Sequence, residues 1–234
     1  MSGRTILAHT PLFVGLSRAE CDALAALLHP HLYRKGAVIF SEGDPGSTLY
    51  LIEDGEVKLT ILSPDGKEVI LAFLGPGGFL GELALLDGGA RSATAVARTP
   101  SKLLVLEREH LLKFLEGHPK AAASMLAALS RRLRRTTDLI HDAVFLDGPT
   151  RLTKILLRFA DVEAKDRPGP DGVLGMPRLT QEELAEVVGG TRESINRWLR
   201  ILAREGLVRR RRGVVEVVDP EGLRKRLPRL VNIG

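Results

Sequence analysis

The spacing of apolar residues changes character three times along the chain. Between residues 34 and 106, short runs of alternating apolar and polar residues are separated by turn signals such as EGDPG (42–46) and PDG (64–66). Runs of this length with such breaks predict short strands in a compact β-roll or barrel. A helical lead-in over 9–30, with Ser17 as an N-cap, is predicted before them. The predicted strands cover 37–40, 48–52, 56–62, 68–74, 92–97 and 101–106.

A helical period replaces the strand pattern after residue 106. It predicts a short helix over 107–117 and a long one from Pro119 to Phe145. The apolar seam of the long helix fits a partner helix or the chain's own β-domain, and we favour a homodimer because a second apolar side needs cover. Its members are Met125, Leu129, Leu133, Thr136, Ile140 and Val144. The solvated flanks are assigned to Arg131, Arg132, Arg134 and Arg135.

The last third of the chain follows the pattern of a winged helix-turn-helix. The segment FLDGP (145–149) ends the long helix, and the pattern predicts a helix over 150–164 and a loop over 166–175. Two helices follow, joined by Gly189-Gly190; Thr180 with Glu183 forms a capping box for the first, and Thr191 caps the second. An arginine-rich hairpin, 207–218, is the wing. The predicted domains are 1–117, the dimerisation helix and hinge 118–147, and 148–234.

The second of these helices has two opposite faces. Its apolar face contains Ile195, Trp198, Leu199 and Leu202, and we assign Trp198 to the core. The other face begins at the N-terminal end, which is the end that enters a major groove. Arginine pairs with guanine and glutamate accepts from cytosine, so this face suits DNA, although an ordinary solvated face has the same pattern. Its members are Arg192, Glu193, Asn196 and Arg197.

Charge and composition narrow the choice of partner and compartment. A length of 234 residues predicts one large domain or two modest ones, and a hydrophobic content of 44% is enough for their cores. Residues 1–147 carry 16 basic and 17 acidic side chains, and residues 148–234 carry 18 and 12, so a polyanion partner is expected for the C-terminal part alone. The single cysteine, Cys21, excludes an intrachain disulfide and a multi-cysteine metal site. With no signal peptide or membrane span evident, we expect a cytoplasmic protein.

The segment FLGELALLDGGARSA (79–93) predicts a ligand site. Gly81 opens a short helix whose first N–H groups lack partners, and Arg91-Ser92 add a planar fork and a hydroxyl. Together they form a pocket for one phosphate. Glu82 would repel a phosphate, unless the phosphate carries a sugar whose hydroxyl donates to that carboxylate. The segment therefore indicates a nucleotide.

In combination, three motifs resemble the cyclic-AMP receptor protein/FNR family of bacterial transcription regulators. They are RKGAVIFSEGDPGSTLYLIEDGEVKL (34–59), FLGELALLDGGARSA (79–93) and GGTRESINRWL (189–199), and the resemblance covers about residues 10–218. It implies an α+β fold with an N-terminal cyclic-nucleotide-binding β-roll, a long dimerisation helix and a C-terminal winged helix-turn-helix. It also implies double-stranded DNA, a second copy of the chain and RNA polymerase as partners.

The resemblance assigns roles residue by residue. It implies that cyclic AMP (cAMP) is the effector, with its ribose and cyclic phosphate on Gly81, Glu82, Leu83, Arg91 and Ser92. Thr136 and Thr137 match the positions that contact adenine, the second of them from the other subunit. Arg192, Glu193 and Arg197 match the residues that read a TGTGA-type half-site. Contacts to DNA phosphates are implied for Thr180, Thr191 and Ser194.

Other effectors and other classes of protein remain to be weighed. The cysteines of the family's iron–sulfur branch are absent, and the histidines lie outside the central strands of the roll, which disfavours haem. A family member that binds DNA without ligand, or with another effector, is one alternative. A cyclic-nucleotide-controlled enzyme is another, but residues 148–234 contain no nucleophile set, metal-ligand cluster or phosphate-binding Gly-Lys loop. We therefore expect a regulator and no enzyme.

Overall fold

The computed structural model describes residues 3–163, 179–211 and 214–228. The predicted loop 166–175 and the wing residues Arg212 and Gly213 lie outside these ranges. The described chain divides into two compact units. The first contains 3–61 and 71–134, and the second contains 62–70 and the described residues from 135 onward.

The first unit is built on two four-stranded sheets, as the predicted β-roll requires. Their strand orders are β1-β8-β3-β6 and β2-β7-β4-β5. The elements, in chain order, are α1 (Gly3–His9), a 3-10 turn (Pro11–Phe13), α2 (Arg18–Ala25), β1 (His29–Tyr33), β2 (Val38–Phe40), β3 (Thr48–Asp54), β4 (Val57–Leu62), β5 (Glu68–Leu74), β6 (Phe79–Leu80), α3 (Glu82–Asp87), β7 (Thr94–Ala97), β8 (Ser101–Glu107), α4 (Arg108–Gly117) and α5 (Pro119–Phe145).

The predicted helical lead-in is partly wrong. Ser17 does cap α2, since its hydroxyl accepts from the Glu20 amide and Glu20 accepts from the Ser17 amide in return. The helix ends at Ala25, however, and residues 29–33 form β1, which pairs antiparallel with β8. Pro30 lies in this strand, and a proline is accommodated there because β1 is at the edge of its sheet.

The apolar seam predicted for α5 proves to be two neighbouring faces. Met125 is 3% exposed and packs into the core of the first unit, with Leu129 partly buried beside it. A second row, spaced by seven residues, is exposed: Leu126 at 66%, Leu133 at 68% and Ile140 at 61%. A row that packs on the β-domain and a row of exposed apolar residues are therefore both present in one helix.

The second unit contains the predicted helix-turn-helix and wing. Its elements are the end of α5, then α6 (Gly148–Glu163), α7 (Gln181–Val188), α8 (Arg192–Arg204), β9 (Val208–Arg211), β10 (Val214–Val217) and α9 (Pro220–Arg226). Strands β9 and β10 form the antiparallel wing. Leu223 of α9 is fully buried, and α9 packs on α6. Among the described helices, none is long and apolar enough to cross a membrane.

Trp198 has a structural role in this unit. A Cβ at Gly148, the first residue of α6, would collide with its indole ring, and one at Gly190 would lie 3.7 Å from it. The ring thus packs where α6 begins and where the turn between α7 and α8 ends. Trp198 is half-buried and not fully buried, so it lies at the edge of the core, and its packing on α6 favours a structural role over a surface that stacks on bases.

Candidate nucleotide pocket and DNA-reading face

Arg91 is the centre of the candidate pocket in the first unit. It is 5% exposed, and its backbone is fixed by the 42–46 turn, where the Arg91 amide donates to the Asp44 carbonyl at 2.8 Å. Its Nη1 donates to the carbonyls of Thr48 (3.0 Å) and Gly81 (2.9 Å), and its Nη2 donates to Thr48 Oγ1 at 2.9 Å. These contacts hold the guanidinium in one orientation.

One edge of this guanidinium is left for a ligand. The Arg91 Nε is buried and has no hydrogen-bond partner. A buried donor without a partner is unfavourable, and the Nε–Nη2 edge of arginine is the fork that binds a phosphate with two hydrogen bonds. Burial lowers the pKa of Arg91, while Tyr50, Glu82 and Asp44 oppose that shift. Since arginine stays protonated in proteins, the pocket presents a fixed positive charge.

Aromatic rings and two glycines shape the space around that charge. The guanidinium lies 4.4 Å from the ring centre of Phe40 and 5.7 Å from that of Tyr50. A Cβ at Gly46 would lie 2.8 Å from Arg91 Nε, and one at Gly81 would collide with Nη1. Gly81 also has a φ of +84°, which favours glycine. Both positions therefore need the absence of a side chain.

Gly81→Ala is expected to weaken nucleotide binding at least about tenfold, because the new methyl group displaces the guanidinium that would bind the phosphate. Gly88→Ala is the matched control, since Gly88 has a φ of +75° but no atom within 4 Å of the added Cβ. Both variants are strained by about 1 kcal/mol, but only the first touches Arg91. Calorimetric titration with cAMP compares them; equal affinities would contradict the role of Gly81.

Glu82 is buried beside an arginine that the sequence analysis placed wrongly. It is 1% exposed, and its Oε1 lies 2.9 Å from Arg132 Nη1. The Arg132 side chain is only 26% exposed and lies over the ring of Phe79. The assignment of Arg132 to a solvated flank is therefore wrong. A buried carboxylate needs a cation of this kind beside it. Arg132 precedes Thr136, a predicted pocket residue, by four positions on one helix, and this spacing was the signal in the sequence that both lie on the same face.

The other predicted pocket residues are more exposed than Glu82 and Arg91. Leu83 is 45% exposed and Ser92 is exposed, next to the buried Glu82 and Arg91. Arg108, which the sequence analysis did not select, donates from Nε to the Leu85 carbonyl at 2.5 Å and so holds the last turn of α3. The structure brings Gly81, Glu82 and Arg91 together. Thr136 and Thr137 lie exposed on α5 in the second unit.

The predicted DNA-reading residues lie on one exposed end of α8. Thr191 caps the helix by accepting from the Ser194 amide at 3.2 Å, and Gly189 ends α7 with a φ of 72°. Arg192, Glu193 and Arg197 are exposed, whereas Ser194 and Asn196 are half-buried. The apolar side of α8 is buried through Ile195, Leu199 and Leu202. Thr180 is exposed and caps α7 with Glu183, as expected.

The chemistry of this end suits base edges. The backbone amide of Glu193 and the Thr191 hydroxyl lower the pKa of the Glu193 carboxyl, so it is an ionised acceptor at neutral pH. On the wing, Arg209 and Arg210 are exposed and pair across the ladder with Glu216 and Val215. Acceptor and donor side chains at the start of α8, with cations on the wing, are the groups that contact bases and phosphates.

Arg151 connects α6 to two other helix ends of this unit, and the sequence analysis missed it. It donates to the Leu146 carbonyl after α5 at 2.7 Å and to the Val188 carbonyl at the end of α7 at 3.0 Å. A cation at helix C-termini is favourable, because the carbonyls there carry partial negative charge. Arg151 thus fixes the turn that precedes α8.

Comparisons with known proteins match a domain family to each part of the chain. A cyclic nucleotide-binding domain model matches residues 30–118, and a Crp-like helix-turn-helix domain model matches 150–226. A CRP-like cAMP-activated global transcriptional regulator of Mycobacterium tuberculosis is 35% identical over 94% of this chain and 98% of its own length. The catabolite activator protein structure of Thermus thermophilus is 36% identical, with a TM-score of 0.54 and coverage of 92% and 97%.

A further solved structure resembles the chain at lower identity. It is the c-di-GMP responsive global regulator CLP of Xanthomonas campestris, which is 26% identical over 86% of this chain and 99% of that one, with a TM-score of 0.69. The expected class, a regulator and no enzyme, is confirmed by these relatives. With its cyclic nucleotide-binding and helix-turn-helix domains, the chain belongs to the cyclic-AMP receptor protein/FNR family of transcription regulators.

Proposed function

We propose that this regulator is a homodimer that binds a palindromic TGTGA-like site under the control of cAMP. The observation that supports a cyclic nucleotide as the effector is the state of Arg91, a buried and fixed cation whose Nε lacks a hydrogen-bond partner. In this proposal the cyclic phosphate accepts from the Nε–Nη2 edge and from Ser92. The ribose hydroxyl donates to Glu82, which also pairs with Arg132. Gly81 and Leu83 complete the site, and Thr136 and Thr137 contact adenine.

The dimer is supported by the exposed row on α5. Leu126, Leu133 and Ile140 recur every seven residues, which is the repeat of two packed helices, and each is more than 60% exposed in the single chain. Large apolar side chains aligned along one helix are unfavourable in water. In the proposed division, residues 118–147 are the dimerisation helix and hinge between the nucleotide domain 1–117 and the DNA-binding domain 148–234.

Ile140→Glu is expected to shift the dimer towards monomer, because it places a charge in the packed row. Light scattering over a range of protein concentrations should show the dimer dissociating at a concentration at least about 100-fold higher than for the unmodified chain. Leu62→Glu is the matched control, since Leu62 is 63% exposed at the end of β4 and Ile140 is 61% exposed on α5. Equal dissociation of both variants would contradict this interface.

The DNA half of the proposal gives each exposed residue of α8 a task. Arg192, Glu193 and Arg197 read the half-site, with Asn196 on the same face, and Thr180, Thr191 and Ser194 contact phosphates. Two copies related by a two-fold axis would place their recognition helices in successive major grooves. Because cAMP changes DNA affinity only if it binds the active form better, the proposal requires differential binding. The proposal also includes RNA polymerase as a partner and the cytoplasm as the location of the protein.

A single titration tests the regulatory part. The protein is added to a TGTGA-N6-TCACA duplex with and without cAMP, and fluorescence anisotropy reports DNA binding. Tighter binding with cAMP is expected. Equal affinity in both conditions would overturn the control by cAMP while leaving DNA binding in place. Since the X. campestris structure is of a c-di-GMP responsive regulator, calorimetry with cyclic GMP and c-di-GMP identifies a different effector.

A further inference from the structure

The end of α5 contacts α6 through polar groups. Between Arg135 and Phe145, all of which the structure describes, Asp142 is the only buried residue, at 9% exposure. Three of the four large apolar residues of this stretch, Ile140, Val144 and Phe145, are between 61% and 72% exposed, and the fourth, Leu139, is only half-buried. A carboxylate is therefore the one side chain that this part of the helix buries.

The partner of this carboxylate is a buried lysine on α6. Lys154 is 5% exposed, on a helix that also fully buries Leu152, Leu156 and Leu157. Its Nζ donates to Asp142 Oδ1 at 2.7 Å, a short charge-assisted hydrogen bond. His141 Nδ1 lies 3.6 Å from the same oxygen, with its side chain 54% exposed. The ion pair is thus buried in the protein, and the neighbouring histidine faces solvent.

A buried ion pair of this kind fixes the relative orientation of two helices more than it increases the free energy of unfolding. Removing two charges from water is unfavourable, and well-packed apolar residues in their place are often equally or more stabilising. Apolar packing tolerates small sliding movements, whereas an ion pair that must stay buried tolerates few. Loss of one partner leaves an uncompensated buried charge, and the two helices then have to separate to hydrate it.

The helix that Lys154 holds also supports the recognition helix. Arg151, one turn earlier on α6, donates to the Val188 carbonyl before the turn to α8, and Gly148 at the start of α6 packs against Trp198 of α8. The Leu146 amide donates to the Asp142 carbonyl, which closes the last turn of α5. A contact that fixes α6 on α5 therefore fixes α8 as well.

We propose that Asp142 and Lys154 are a positioning pair that sets the angle at which the dimerisation helix holds the helix-turn-helix. This proposal rests on the proposed function for its DNA readout. The pair contacts neither nucleotide nor DNA; it acts through α6. It makes the orientation of α8 two-state: with the pair formed α8 is held, and with the pair broken α6 is released.

Four variants of the full-length protein test the pair: Asp142→Asn, Lys154→Gln, the double variant, and Asp138→Asn as a matched control that removes an exposed carboxylate one turn earlier. Anisotropy with saturating cAMP measures binding to the palindromic duplex. Calorimetry measures cAMP affinity. Hydrogen exchange at the Leu146 and Arg151 amides, which donate to the carbonyls of Asp142 and Asp147, measures opening of the hinge without any ligand.

Each single variant is expected to lose about tenfold in DNA affinity and to exchange its hinge amides faster, with cAMP affinity unchanged. The double variant, with a neutral amide pair, should recover most of both losses. Losses that simply add in the double variant, or single variants that match Asp138→Asn, would overturn the proposal. If cAMP has no effect on the unmodified protein, the proposed control by cAMP fails, yet the exchange data still decide the role of the pair.

Discussion

Replacing Arg91 with alanine is expected to reduce cAMP affinity at least about 100-fold. Each hydrogen bond between ionised partners contributes about 1.5–3 kcal/mol, and the open edge of Arg91 offers two of them to the phosphate. The site is also preorganised, because Thr48 and Gly81 already hold the guanidinium. The ligand therefore gains these bonds without ordering a flexible side chain. Isothermal titration calorimetry of the folded dimer measures the loss.

Two companion variants decide what Arg91 supplies. Arg91→Lys keeps the charge and loses the fork, so it should remain at least about tenfold weaker than the unmodified protein. Arg98→Lys is a matched control on the same β-roll, since Arg98 pairs with Glu56 and lies over Phe73, away from the pocket. Thermal unfolding reports whether each variant folds. If Arg91→Lys binds cAMP like the unmodified protein, the phosphate does not sit on this fork.

The pocket shows which parts of a site local sequence can reveal. Gly81, Glu82 and Arg91 lie within one short segment, and their chemical types alone indicate a sugar phosphate. The groups that orient Arg91 come from elsewhere: Thr48 opens β3, and the ring of Phe40 belongs to β2. Strand pairing between distant segments brings them together, and no spacing in the sequence specifies it.

Arg132 and α5 show a second limit. A cation beside an apolar seam has the same pattern whether it is solvated or pairs with a buried carboxylate, so the sequence could not distinguish these cases for Arg132. The seam was ambiguous for the same reason. Met125 and Leu126 are adjacent in sequence, yet one is buried in the unit's own core and the other is 66% exposed. Periodicity locates apolar residues on a helix without naming what covers each face.

The helix-turn-helix was predicted more completely because its signals are local. The Thr180–Glu183 capping box, the Thr191 cap and the break at Gly189 each depend on residues within four positions of one another. The opposed faces of α8 follow from its own periodicity. The bond from Arg151 to Val188 spans 37 residues, and that contact came only from the fold.

Glu193→Ala is expected to relax base preference at one position of each half-site by about 10- to 100-fold, since a good contact to a base edge discriminates by about 1–3 kcal/mol. Affinity for random duplex DNA should stay equal or rise slightly, because a negative charge leaves a surface that faces phosphates. Competition binding against a set of duplexes, each changed at a single base pair of the half-site, separates the two effects. The salt concentration must be the same throughout.

The pH dependence and a second glutamate sharpen this test. Since the Glu193 amide and the Thr191 hydroxyl lower the pKa of the carboxyl from its usual 4.5, discrimination should persist as the pH falls from 7 to 5 and be lost only below that range, where the acceptor becomes protonated. Glu205→Ala is the matched control, because it removes the same charge at the far end of α8, where Glu205 pairs with Arg226. A uniform loss of affinity across all duplexes for Glu193→Ala would mean that Glu193 supports the helix and reads no base.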